Sequence, residues 1–117
     1  MQTLRNATTG AILATRVTRA TSMLARGIGL LGRGSLDADE GLWIERCGAV
    51  HTMGMRATLD LIFVDRDDRV VRIERGVRPN RFAVTCRGAA AVIELGAGEP
   101  RAVAPGDRVV LDRAGVS

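Results

Sequence analysis

The sequence predicts a mainly β protein, a compact β-sandwich or barrel with one short α-helix near residues 21–31. Two features of the pattern and one of the length predict it. Many short apolar runs are separated by Gly, Pro, Asp and Asn, and a single stretch spaces its apolar residues at helical intervals. At 117 residues the chain can bury one core but not two, so a single domain over residues 1–117 is expected. With 46% hydrophobic and 26% charged residues, its composition is that of a folded globular protein.

The elements follow in order. QTLRNATTGAILATRVTRA, from Gln2, reads as two strands around Thr9–Gly10, with Leu4, Ile12, Leu13 and Val17 as core candidates. TSMLARGIGLLGRGSL then opens with Thr21 and Ser22, good helix N-caps, and sets Met23, Leu24, Ile28 and Leu31 near one helical face before Gly32 and Gly34 stop it. Gly27 and Gly29 each weaken that helix by about 1 kcal/mol relative to Ala, so it must be short and held by packing. After the polar SLDADEG loop, LWIERC makes a strand, and after CGAVHTMGMRA a longer one follows in TLDLIFVD. Asp67–Asp68 turns the chain into RVVRIERGV, an antiparallel hairpin offering Leu61, Phe63, Val71 and Ile73 to the core. AAAVIELGAG gives a buried strand, and EPRAVAPGDRVVLD a Pro-Gly-Asp turn and a last strand.

Charge and composition narrow the partners. No apolar run approaches the roughly 18 to 20 residues of a membrane span, and the first residues lack a signal-peptide apolar stretch, so a cytoplasmic protein without a membrane is expected. In that compartment Cys47 and Cys86, 39 positions apart, are expected to be reduced thiols. All 17 basic residues are arginine, and residues 66–87 hold seven of them against three acids, a local +4 that equals the net charge of the chain. Arg66, Arg69, Arg72, Arg75, Arg78 and Arg81 recur every third residue, a spacing that sends neighbours to opposite faces of a strand. With only Trp43, Phe63 and Phe82 as aromatic platforms, this argues for solvated arginines and against nucleic acid.

The chemistry-bearing residues gather around one loop and two strands. His51 is the only histidine, and a neutral imidazole can take a proton or a cation near neutral pH; Thr52 beside it offers a hydroxyl to a ligand or to the loop backbone. Cys47, His51, Met53 and Met55 form a soft-ligand spacing suited to copper(I), although it matches no zinc pattern, and methionine and cysteine also serve as plain core residues. Asp60 interrupts an apolar strand and shares a face with Ile62 and Val64, so it needs hydrogen bonds or a cation such as Arg33 or Arg56. Glu94 poses the same question in VIEL. No glycine stretch has the Gly-Lys-Ser/Thr ending of a phosphate loop, and no cofactor is implied.

Several motifs stand in a fixed order: Gly-Leu-Leu-Gly-Arg at 29–33, His-Thr-x-Gly-Met at 51–55, Leu-Asp-x-x-Phe-x-Asp at 59–65, and Glu-Leu-x-x-Gly at 94–98 before the Gly106–Asp107 turn. In them the chain resembles the DUF192 family of small prokaryotic proteins over nearly its whole length. The resemblance implies a jelly-roll-like sandwich with a short helix and no established chemistry. Other branches of the family look to carry an aromatic and an Asn-Thr pair where this chain has His51 and Gly54–Met55, which argues against a universal catalytic histidine. The leading expectation is a non-catalytic accessory module that binds a small ligand or partner protein around the His51 loop, with Arg33, His51, Thr52, Met55, Asp60 and Glu94 as candidate contacts. The alternatives are a hydrolase-like or proton-transfer enzyme, in which Asp60 or Glu94 works with His51 and Arg33 stabilises an anion, and a soft-metal protein using the Cys47 to Met55 cluster.

Overall fold

The computed structural model describes residues 2–20, 36–45, 49–50, 58–78, 84–98 and 100–113. Nine strands run along them: β1 (Gln2–Asn6), β2 (Ile12–Ala20), β3 (Glu40–Glu45), β4 (Ala49–Val50), β5 (Leu59–Val64), β6 (Val70–Val77), β7 (Val84–Thr85), β8 (Ala91–Gly96) and β9 (Val109–Arg113). Seven form one open sheet in the order β6-β5-β8-β3-β2-β1-β9, and β4 and β7 pair separately. Neighbours in the sheet are antiparallel except β2 and β3. That parallel pair is separated by residues 21–39, the kind of long connection that parallel strands require.

The hairpin of β5 and β6 turns at residues 65–69, where Asp65 accepts from the amides of Asp67 and Arg69 and Asp68 takes a left-handed φ of 62°. β5 (LDLIFV) and β8 (AVIELG) are buried along their whole length, which explains their nearly unbroken apolar sequences. Register divides their side chains between the two faces of the sheet. One face packs Ile62, Val64, Ile93 and Leu95 with Leu4, Val17, Trp43 and Val109; the other packs Leu59, Leu61, Phe63 and Val92 with Leu36, Ile44 and Val77.

The edges of the sheet meet at one corner. The Val70 amide donates to the Asp107 carbonyl at 2.8 Å, the Gly106 amide to Val70 at 2.8 Å and the Val109 amide to Asp68 at 3.0 Å. The connection from β8 to β9 thus runs beside β6 and buries Val103 in the first core. Asn6, at the end of β1, is fully buried and ties down the same connection. Its amide nitrogen donates to the Ala102 carbonyl and to Asp107 Oδ2, both at 2.9 Å, while its oxygen accepts from the Thr8 and Thr9 amides.

Several expectations need amendment. The described strands form one seven-stranded sheet and a two-stranded one, so neither a two-layer sandwich nor a closed barrel is established, and the helix expected near 21–31 falls outside the described residues. Ile12 is 56% exposed instead of buried, because β1 and β2 pair Leu4 with Ala14 and Arg5 with Ile12. The extra residue, Leu13, is a bulge whose side chain enters the core in place of Ile12. Val71 is 39% exposed for the same kind of reason: Phe63 pairs with Arg72 and Val64 with Val70, which leaves Val71 bulged out of the ladder. Ile73 therefore lies opposite Ile62, on the other face from Leu61 and Phe63.

Candidate functional site

Asp60 is the one charged residue of β5, and alternation turns it toward the face that holds Ile62 and Val64. It is buried there, so an ionised carboxylate needs partners for both oxygens. It has them: Oδ2 lies 2.7 Å from Arg101 Nη1, and Oδ1 accepts from the Gly76 amide at 2.9 Å. Arg101, its side chain 3% exposed, spends the rest of its fork on backbone carbonyls. Nε donates to Leu13 at 3.2 Å, and Nη2 donates to Gly96 at 2.7 Å and also to Ala38. One ion pair thereby joins β2, the turn before β3, β5, the end of β8 and, through Asp60, β6.

The bulges explain why an ion pair belongs here. Leu59 pairs with Val77 and Leu61 with Glu74, which leaves both Arg75 and Gly76 opposite Asp60. A bulge of this kind removes a backbone group from the ladder, and Gly76, at a φ of 65°, turns its amide onto the Asp60 carboxylate instead. On the far side, the carbonyl of the bulged Leu13 accepts from Arg101. The pair satisfies irregular backbone at both sides of this end of the sheet.

Two open hollows flank the Pro100–Arg101 segment at that end. One, of about 330 Å³, is lined by Ile12, Leu13, Ala38, Asp39, Pro100 and Arg101. The other, of about 500 Å³, has Asp60 and Arg101 in its floor and Arg75, Gly76, Ala97, Gly98 and Pro100 around it. Arg75 is exposed, and its one bond among the described residues runs from Nη2 to the Val103 carbonyl at 3.2 Å.

Of the residues singled out from sequence, the structure does not bring Asp60 and Glu94 together. Leu61 pairs with Glu94 and Asp60 with Leu95, so the two carboxylates point to opposite faces of the sheet and cannot bracket one substrate. Glu94 is fully buried, opposite Leu42 and Leu61, and is itself engaged by a further interaction. Arg33, Cys47, His51, Thr52, Met53, Met55 and Arg56 lie outside the described residues. Among the described residues no group of His, Cys, Asp and Glu is placed to hold a metal ion, and Cys86 is a half-buried free thiol. No helix among them is long and apolar enough to cross a membrane.

Sequence reasoning did not single out Arg101. The signal for it was the requirement that Asp60 find a cation, together with a lone arginine in the apolar segment PRAVAP. Asn6 carried no such signal, since an asparagine before a turn reads as a turn residue.

The family model of DUF192, described as uncharacterised, matches residues 4–111. No curated protein matches the chain. Two solved structures are similar. The crystal structure of a protein of unknown function from Novosphingobium aromaticivorans DSM 12444 is 25% identical with a TM-score of 0.75, over 93% of this chain and 82% of that one. That of "a putative transcription regulator" from Sinorhizobium meliloti 1021 is 26% identical with a TM-score of 0.76, over 94% of this chain and 91% of that one. With ordered motifs, sheet and model match in agreement, the chain belongs to the DUF192 family.

Proposed function

We propose that this protein is a non-catalytic binding module whose ligand sits at the end of the sheet capped by Asp60 and Arg101, where β5 begins eight positions after His51. The carrying observation is a pair of hollows around polar groups that are already satisfied: both Asp60 oxygens accept bonds, and Arg101 serves three carbonyls and one carboxylate. A pre-organised polar floor with an open mouth suits recognition. Proton transfer needs a group whose bonds can be exchanged for a substrate's, and the opposite facing of Asp60 and Glu94 removes the carboxylate pair from that reading.

The name given to the Sinorhizobium meliloti neighbour points to transcription regulation. Nucleic-acid binding would need a stripe of available cations, and the arginines of the β6 hairpin are divided: Arg72 pairs with Glu74 at 2.7 Å and Arg69 donates to the Gly106 carbonyl. A small ligand or protein segment fits the hollows better. The test is a crystal soak with a mixed fragment set. Hits concentrated against Pro100 and Arg101 support the reading, and fragments scattered elsewhere, or none, refute it.

A further inference from the structure

Resting on that reading, we infer that the larger hollow takes a small carboxylate-bearing ligand with a short apolar tail, and that Arg75 is the residue that binds its carboxylate. Three observations converge on this. The bulge that sets Arg75 and Gly76 together opposite Asp60 places Arg75 at the rim of the hollow, and bulges are a common way of re-aiming one side chain beside a site. The Arg75 guanidinium is charged and exposed, and among the described residues it spends only one donor, on the Val103 carbonyl. An arginine carries five N–H donors in a planar fork, so a bidentate face remains for a carboxylate. The third observation is the lining itself. Asp60 and Arg101 pair with each other within the floor, while Arg75 at the rim has no ion-pair partner among the described residues. A planar carboxylate matches the open face of that guanidinium, which a tetrahedral phosphate fits less well.

The walls set the rest of the ligand. Ala97 and Pro100 offer apolar contact, and the space above Gly76 and Gly98 is empty, with nothing within 4 Å of where a Cβ would stand. Both glycines have left-handed φ values, 65° and 120°, so side chains are disfavoured there and the walls stay low. A tail of a few carbons lies along this surface, with the carboxylate on Arg75.

The experiment is a titration of 15N-labelled protein at constant ionic strength with butyrate, with butyramide as its neutral counterpart, and with inorganic phosphate, following the Gly76 and Gly98 amides. Butyrate is expected to give saturable shifts at both amides, butyramide none, and phosphate only a weak, non-saturating response. In Arg75→Gln, butyrate affinity is expected to fall about ten-fold or more, the loss for removing a charge-assisted bidentate bond. Arg75→Lys keeps the charge without the fork and should fall between the two. Butyrate shifts unchanged in Arg75→Gln, or phosphate saturating as tightly as butyrate, would overturn the inference. Butyramide binding as well as butyrate would also overturn it, while leaving the hollow a binding site. Silence of both amides toward every probe and toward a neutral fragment set would remove the proposed function as well.

Discussion

Replacing Arg101 by methionine keeps the apolar stem of the side chain and deletes its charged fork. Asp60 is then left 6% exposed with the Gly76 amide as its remaining partner, and the carbonyls of Leu13, Ala38 and Gly96 lose a donor. Stripping one partner from a buried ion pair costs about 3–5 kcal/mol. The carbonyls add to this less than their about 1 kcal/mol each, because the flanking hollows admit water to that end of the sheet. Against a typical total stability of about 5–15 kcal/mol, Arg101→Met should bring the domain close to unfolding at room temperature. Equilibrium urea denaturation followed by Trp43 fluorescence reads this directly, since Trp43 is 2% exposed when folded. Because one variant can fail to fold for other reasons, the cycle is completed with Asp60→Leu and the double variant. Removing the orphaned carboxylate should return at least about 2 kcal/mol, a non-additivity that only direct coupling produces. A loss below about 1 kcal/mol in Arg101→Met, or strict additivity across the cycle, would show that the pair does not hold this end of the sheet.

Other consequences are as concrete. Asn6→Ala removes a fully buried amide that bonds four partners, and should cost about 2–3 kcal/mol in the same assay, with the Ala102–Asp107 amides losing hydrogen-exchange protection first. Gly96→Ala drives a methyl into the backbone carbonyl of Asp37, so it should lose more than about 2 kcal/mol, whereas Gly10→Ala, open to solvent, should show only the strain of its left-handed backbone, about 1 kcal/mol. The Asp68 carboxyl is held above its ordinary value, first by partial desolvation and then by Asp65 and Asp67, against the lowering effect of Arg19 and Arg108. A carboxyl raised in the folded state binds its proton more tightly there, so its contribution favours folding as pH falls through the raised value and opposes folding above it. Asp68→Asn, which also tolerates the φ of 62°, should therefore be as stable as the parent or more so at pH 7, by about a few tenths of a kcal/mol, with the gain vanishing toward acid pH. Elemental analysis of protein purified without chelator is expected to find less than a tenth of an equivalent of copper or zinc per chain; near-stoichiometric copper would favour the soft-metal reading of Cys47, His51, Met53 and Met55 over the proposed one.

Local signals carried the strand pattern well. The β5–β6 hairpin, the β1–β2 hairpin and the buried β8 are written in alternation, turn residues and unbroken apolar runs, all of which act within a few positions. What escaped was set by register, inside the hairpins as well as between distant segments. The bulges at Leu13, Val71 and Arg75–Gly76 follow from register against β1 and β5, and they moved Ile12 and Val71 from core to surface. The parallel pairing of β2 with β3 likewise has no local mark. Asp60 was legible as a buried carboxylate in need of a cation, yet its partner stands 41 positions away on an irregular connection, and nothing in the intervening sequence points from one to the other. Glu94 looked equivalent to Asp60 from composition, and only strand register separates them onto opposite faces.

The strand order has a bearing on how the chain can be assembled. β1 has β2 on one flank and β9, the last of the described strands, on the other, with Gln2 opposite Arg113. During synthesis the N-terminal hairpin can form at once, but one side of β1 stays unclaimed until residues 109–113 have emerged. Until then its free amides and carbonyls offer a template on which another copy can pair, an exposure that only the docking of β9 ends.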